Sequence, residues 1–98
     1  MNYEFHPEAL NEYEEAARFY AKKQCGLEQR FINSVESVIY KIIEAPLRYK
    51  LIEQDIHRCL TRVFPYAIFY TVEPEFILIL AVTHTSREPG YWRNRVAQ

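Results

Sequence analysis

The stretch Arg58–Trp92, RCLTRVFPYAIFYTVEPEFILILAVTHTSREPGYW, decides the fold. Within it, Tyr66–Val72 (YAIFYTV) is almost wholly β-branched or aromatic, the composition that fits a pleated surface. Phe76–Thr83 (FILILAVT) is a continuous apolar run, which predicts a strand covered on both faces or nearly so. Between them Glu73-Pro74-Glu75 reads as a short hairpin connection, since proline cannot continue a ladder. Arg58–Phe64 (RCLTRVF) predicts a third, more polar strand, stopped by Pro65. The three make an antiparallel meander.

The chain before this meander reads as packing for it. Asn2–Phe5 fits an edge strand with Tyr3 and Phe5 on one side. His6-Pro7-Glu8 then opens a helix. Proline suits the first helical position, where its missing N–H would be unpaired anyway, and the acids behind it complement the positive helix start. His6 falls at the N-cap, where Ser, Thr, Asp or Asn would serve better. Leu10, Tyr13, Ala17, Tyr20 and Gln24 recur at helical spacing, with Ala16 and Ala21 beside them, and Glu12, Glu14, Glu15, Lys22 and Lys23 cover the other side. Gly26 fits a cap at this helix's C-terminus.

A second helix is expected from Leu27 to about Glu44. Leu27, Phe31, Val35, Val38, Ile42 and Ala45 form its stripe and Ile32, Ile39 and Ile43 widen it, a face broad enough for the first helix and the sheet together. Pro46 stops it. Leu47–His57 carries the weakest signal, a loop or frayed strand with a turn at Gln54-Asp55. After the meander, Thr85–Gly90 reads as a polar loop and Tyr91–Val96 as one helical turn packing its aromatics on the sheet edge. The predicted order is β-α-α-β-β-β, an α+β fold in which a helical hairpin lies on one face of a mainly antiparallel sheet.

Composition narrows the function. At 98 residues the chain is expected to form one domain, residues 1–98. MNYEFHPEAL has no basic start followed by an apolar core, so no secretory signal is expected at this end. The longest apolar run falls well short of the roughly 20 residues that span a bilayer. A cytoplasmic location, with no membrane partner, is the expectation. Cys25 and Cys59 suggest neither a disulfide framework nor a metal site and are read as buried or half-buried thiols. With only two glycines, a phosphate-cradling loop is implausible.

The net charge of −1 hides an asymmetry. Residues 1–46 hold 8 acids and 5 bases, hence −3; residues 47–98 hold 5 acids and 7 bases, hence +2. Six of those seven bases are arginines, whose forks suit phosphate or carboxylate. The plain alternative is a solvated sheet face with ion pairs. A pI near 6.3 argues against a strong general nucleic-acid binder.

Taken together, FHPEAL-x-E-x-EEAARFY, GLEQRF-x-x-x-V-x-x-x-I-x-x-I-x-x-x-P, RVFPYAIFYTV, ILAVTH and R-x-P-x-YW resemble the RelE/ParE toxin superfamily of bacterial type II toxin–antitoxin modules, from about Asn2 to Trp92. The long hairpin and FPY-x-IFY-x-V are closer to the ParE branch. The resemblance implies a toxin of a plasmid-stabilising module, neutralised by a cognate antitoxin and acting on DNA gyrase. It is compatible with a homodimer or a heterotetramer with the antitoxin. The RelE-like alternative is a metal-independent ribonuclease that cuts mRNA on the ribosome; a third alternative is a non-toxic paralogue that only binds an antitoxin. Neither active branch implies a cofactor or metal. On the RelE-like reading His84, Arg87 and Tyr91 would be catalytic; Arg58, Arg62, Arg87 and Trp92 are the residues expected to meet a target or antitoxin.

The chemistry can be weighed on its own terms. RNA cleavage by 2′-hydroxyl attack needs a base, an acid and phosphate stabilisers. His84 could be acid or base, and Arg58, Arg62 and Arg87 could hold the phosphate. Arg58 and Arg62 are four apart on the predicted strand, so they share a face roughly 13 Å apart at ~3.3 Å per residue. A backbone or an acidic peptide could engage both. The plainer reading is that His84 only ends a strand and Arg87 pairs with Glu88 or another acid.

Overall fold

The computed structural model describes residues 1–96. Strand β1 (Asn2–Phe5) leads into helices α1 (Pro7–Lys23) and α2 (Leu27–Glu44); strands β2 (Lys50–Glu53), β3 (Ile56–Leu60), β4 (Tyr66–Val72) and β5 (Phe76–His84) follow, and a short 3₁₀ turn closes at Arg93–Arg95. The sheet order is β1-β5-β4-β3-β2. Only β1 pairs in parallel, along β5; the other neighbours are antiparallel. The helical hairpin and antiparallel meander are as expected.

Sequence and structure part in the weakly signalled stretch. Lys50–Glu53 is a strand, so four strands follow the helices rather than three. Its partner β3 starts two residues earlier than predicted and stops at Leu60, short of Phe64. The chain turns there because Thr61 ties both ends of the connection: its N–H donates to the Tyr66 carbonyl at 2.9 Å and its hydroxyl to the Phe64 carbonyl at 2.8 Å. The Glu53–Asp55 region turns with Gln54 at a φ of 45°, as the Gln54-Asp55 signal suggested. A four-residue edge strand with charged ends carries too little apolar pattern to be read without its partner.

Helix α1 starts as its sequence dictates. The Glu8 N–H donates to Nδ1 of His6 at 3.1 Å, so the imidazole caps where a hydroxyl or carboxylate is commoner, and Pro7 takes the next position. Its buried face is rotated from the predicted stripe. Ala9, Ala16 and Ala17 are buried, whereas Leu10 is 40 % exposed. Small side chains let α1 lie close to the sheet, and that approach decides the rotation. Gly26, at a φ of 85°, is the N-cap of α2, not the cap of α1, whose C-cap is Gln24. Cys25 beside it is exposed, and Cys59 is buried as expected.

Helix α2 matches the predicted limits, with Phe31, Val35, Val38, Ile39 and Ile42 buried. They pack with Cys59, Ile68, Tyr70, Ile77, Ile79 and Val82 from the sheet. Phe31 sits among aromatic rings, 5.0 Å from Tyr20, 5.4 Å from Phe64 and 5.0 Å from Tyr66. Ile39→Ala or Ile42→Ala should cost about 2–5 kcal/mol each through lost burial and a residual cavity. Urea melts of the two variants check this; unchanged midpoints in both would remove the proposed helix–sheet core.

The opposite face of the sheet is also covered in part. Ile56, Ala67, Phe69, Leu80, Ala81 and Trp92 form a second cluster, with Tyr91 and Val96 packed on it. Strand β5 thus buries both faces, as its unbroken apolar run predicted. Alternation turns Ile77 and Ile79 to the first cluster and Leu78 and Leu80 to the second. An irregularity follows: Tyr70 pairs with Ile79 but Phe69 pairs with Ala81, leaving Leu80 as an extra residue. Both Leu80 and Ala81 then face the second cluster.

Candidate functional site: a basic cleft on the sheet face away from the helices

Two cross-strand rows build the floor of the site. Arg58, Phe69 and Ala81 lie side by side, and next to them Leu60, Ala67 and Thr83. Alternation along β3 and β4 turns these side chains away from the helices. The loop after β5 returns over them and closes a cleft of about 200 Å³, which Arg58, Thr83, His84, Thr85, Arg87, Glu88, Tyr91 and Trp92 line. Five of the six residues singled out in the sequence therefore meet here.

Arg62 does not. Because β3 ends at Leu60, Arg62 leaves the strand, and its side chain lines a separate cleft with α2 on the helix side of the sheet. The expectation that Arg58 and Arg62 share one face is overturned by the turn at Thr61. Trp92 lies in the cleft but is nearly enclosed. It is 1 % exposed and stacks on Phe69 with ring centroids 4.5 Å apart. Its ring packs on the sheet face rather than on the edge, and its side chain supports the cleft floor.

The polar groups at the rim are held by one acid that the sequence reading left on a solvated helix face. Glu12, on α1, is 13 % exposed at its side chain. The Val82 N–H donates to its Oε1 at 3.1 Å and the Tyr91 hydroxyl to its Oε2 at 2.7 Å. The Arg95 guanidinium lies 3.1 Å from Oε1, and that of Arg87 lies 3.6 Å from Oε2. Arg95 is itself buried and donates to the Leu80 carbonyl at 3.0 Å. Strand β1 reaches only Ile79 on β5. Beyond it the outer edge of β5 is met by side chains, Arg95 on the Leu80 carbonyl and Glu12 on the Val82 N–H. The spacing Ala9, Glu12, Ala16 was the signal for this role, since all three share the inward face of α1.

The Tyr91 ring lies between two cations, Arg87 at 3.6 Å and Arg95 at 5.0 Å from its centroid. Burial is the largest cause raising the Tyr91 pKa, and the Glu12 carboxylate adds to it. His84 is exposed at the end of β5, and its Nδ1 accepts from the Ser86 N–H at 3.1 Å. With Nδ1 accepting, a neutral ring carries its proton on Nε2. Arg58 forms none of the ion pairs found among the described residues. The tail is tied at its far side as well, where Arg93 donates to both carboxylate oxygens of Glu53 at 2.7 and 2.8 Å. No cluster of three or more His, Cys, Asp or Glu side chains that could hold a metal ion occurs among the described residues. No helix of the described chain is long and apolar enough to cross a membrane.

A helical hairpin behind a five-stranded, mainly antiparallel sheet is the fold of a RelE/ParE-type toxin. The family of the ParE toxin of type II toxin-antitoxin system, parDE, matches residues 3–89, and the chain belongs to that family. Among solved structures, a chain described as the chromosomal ParDE TA system from P. aeruginosa matches with a TM-score of 0.61 at 10 % identity, covering 86 % of this chain and 95 % of that one. At that identity the likeness is one of fold. Among curated proteins no relative matches.

Proposed function

We propose that this ParE-family chain acts by gripping a protein surface of DNA gyrase, and that a cognate antitoxin neutralises it in a plasmid-stabilising module. The observation that carries the target class is the commitment of the rim groups. The Tyr91 hydroxyl donates a hydrogen bond to Glu12, Arg87 is offset by the same carboxylate and stacked on Tyr91, and His84 uses Nδ1 in its own turn. RNA cleavage needs an acid, a base and phosphate stabilisers together. Here one imidazole nitrogen and Arg58 remain. That set suits a cleft that receives an acidic side chain of a partner better than one that moves protons. The antitoxin reading rests on the family, whose description names a toxin–antitoxin system.

Induction in a bacterial host separates the readings. DNA and protein synthesis are followed by pulse labelling, with primer extension on an abundant transcript. A gyrase poison traps cleaved DNA, so the DNA-damage response should rise early while transcripts stay intact, and Arg58→Ala should relieve toxicity. Early in-frame transcript cuts that disappear in His84→Ala would overturn this in favour of the RelE-like nuclease. Absence of any growth defect would leave an antitoxin-binding paralogue.

A further inference from the structure

Strand β2 ends the sheet, so one side of its backbone has no neighbouring strand. It reads Lys50-Leu51-Ile52-Glu53, with a cation at one end, an anion at the other and two aliphatics between. On β3, Lys50 pairs with Arg58, Leu51 with His57 and Glu53 with Ile56. Paired residues share a face of a sheet. Lys50 and Glu53 therefore point away from the helices, with Arg58 and Ile56, while Leu51 points toward them. On a regular strand positions 50 and 53 would alternate. The register shift between Leu51 and Glu53 brings both charges to one face.

Two features of this edge serve nothing within the chain. Lys50 is exposed and sits directly opposite Arg58, and like charges in that position destabilise a sheet. Neither cation takes part in the ion pairs among the described residues. The other flank of Lys50 is the open edge, where an added strand can bring an acid beside it. On the helix side Leu51 is 55 % exposed. Leu47 follows Pro46, whose carbonyl accepts from the Tyr70 hydroxyl of the same sheet face, and it is 75 % exposed.

We propose that β2 pairs antiparallel with β2 of a second copy of this chain, about a two-fold axis between Leu51 and Ile52. In that register Lys50 lies opposite Glu53 of the second copy, and symmetry repeats the pair. The strand is its own complement. Opposite residues must share a face, which the register shift supplies for these two charges. The incoming carboxylate offsets the Lys50–Arg58 juxtaposition. Glu53 is held ready for it, since Arg93 grips both its oxygens at 2.7 and 2.8 Å and each oxygen keeps a lone pair. Leu51 of each copy flanks the axis on the helix side, with Leu47 nearby. A charged edge deters most foreign strands, so the residues that admit a copy exclude others. Such a short edge makes a weak pair, with a dissociation constant of roughly 10 μM to 1 mM. The proposal does not depend on gyrase being the target.

Sedimentation equilibrium on the full chain tests it. The mass should rise from one chain toward two between about 10 μM and about 1 mM. Lys50→Glu and Glu53→Lys should each weaken association at least about tenfold, because like charges then meet at both ends of the paired strands. An equimolar mixture of the two variants should associate within about threefold of the parent, because opposite charges then meet at both ends. That rescue separates an interface from a folding defect, which mixing cannot repair. The charge control Lys22→Glu should associate like the parent. Hydrogen exchange within Lys50–Glu53 should slow as concentration rises. A chain that stays single to about 1 mM would leave the edge to a strand of another protein and overturn the proposal. Association indifferent to Lys50→Glu, a mixture no stronger than its components, or growth beyond two chains, the mark of a head-to-tail contact, would overturn it as well.

Discussion

Glu12→Ala should destabilise the protein by about 3–5 kcal/mol, the size expected when one partner of a buried ion pair is removed. The loss has three parts. Arg95, with 7 % of its side chain exposed, keeps only the Leu80 carbonyl and a looser approach to Glu8 at 3.8 Å. The Val82 N–H on the uncovered edge of β5 loses its acceptor, and so does the Tyr91 hydroxyl. Leaving a buried charge and buried donors without partners costs more than the hydrogen bonds are worth when formed. Replacing both charges by apolar side chains, as in Glu12→Leu/Arg95→Met, should recover much of the loss, because no charge is then left unpaired. Urea denaturation of the single and double variants measures the coupling, expected at about 1–3 kcal/mol. Hydrogen exchange at the Val82 amide should quicken in Glu12→Ala. Additive single and double effects with unchanged exchange would show that Glu12 is the solvated helix residue its neighbours Glu14 and Glu15 are.

Trp92→Ala should cost about 3–5 kcal/mol, as truncation of a buried aromatic does. The ring is nearly inaccessible, stacks on Phe69 and belongs to the cluster that holds the tail on the sheet. Trp92→Phe should fall within about 1.5 kcal/mol of the parent. The indole Nε1 is buried without a hydrogen-bond partner, so its removal relieves an unsatisfied donor and offsets part of the lost contact. Both variants are followed by circular dichroism in denaturant, because the chain's one Trp is the residue removed. If Trp92 instead served a partner surface, Trp92→Ala would leave stability untouched and weaken only binding.

Both predictions concern the tail and the contacts that hold it on the sheet. The aromatics of Tyr91-Trp92 marked it as a packing segment and pointed to the sheet edge, whereas Trp92 packs on the sheet face against Phe69. Its neighbours are remote in sequence: Tyr91 meets Glu12 across 79 positions, and Val82 meets it across 70. A carboxylate amid Glu14 and Glu15 looks solvated until the sheet edge it caps is known. Leu10 misled for a related reason. A large apolar residue was taken to mark the buried face of α1, yet alanines occupy that face because the sheet lies so close.

What the sequence determined by itself is local. Apolar runs in β4 and β5, the period of α2 between Gly26 and Pro46, and the Pro7 start of α1 set the elements and their order, because dihedral preferences and burial periodicity act over a few residues. Arg58, Arg62, His84 and Arg87 could be singled out on their residue types, and Tyr91 through the family resemblance. Tertiary structure decided which of them meet. The turn at Thr61 sent Arg62 to the other face of the sheet, pairing with β3 made a strand of Lys50–Glu53, and the register shift between β4 and β5 put Leu80 and Ala81 together in the second cluster. Each of these depends on a hydrogen-bond partner or a packing distance that exists only once remote segments are in place.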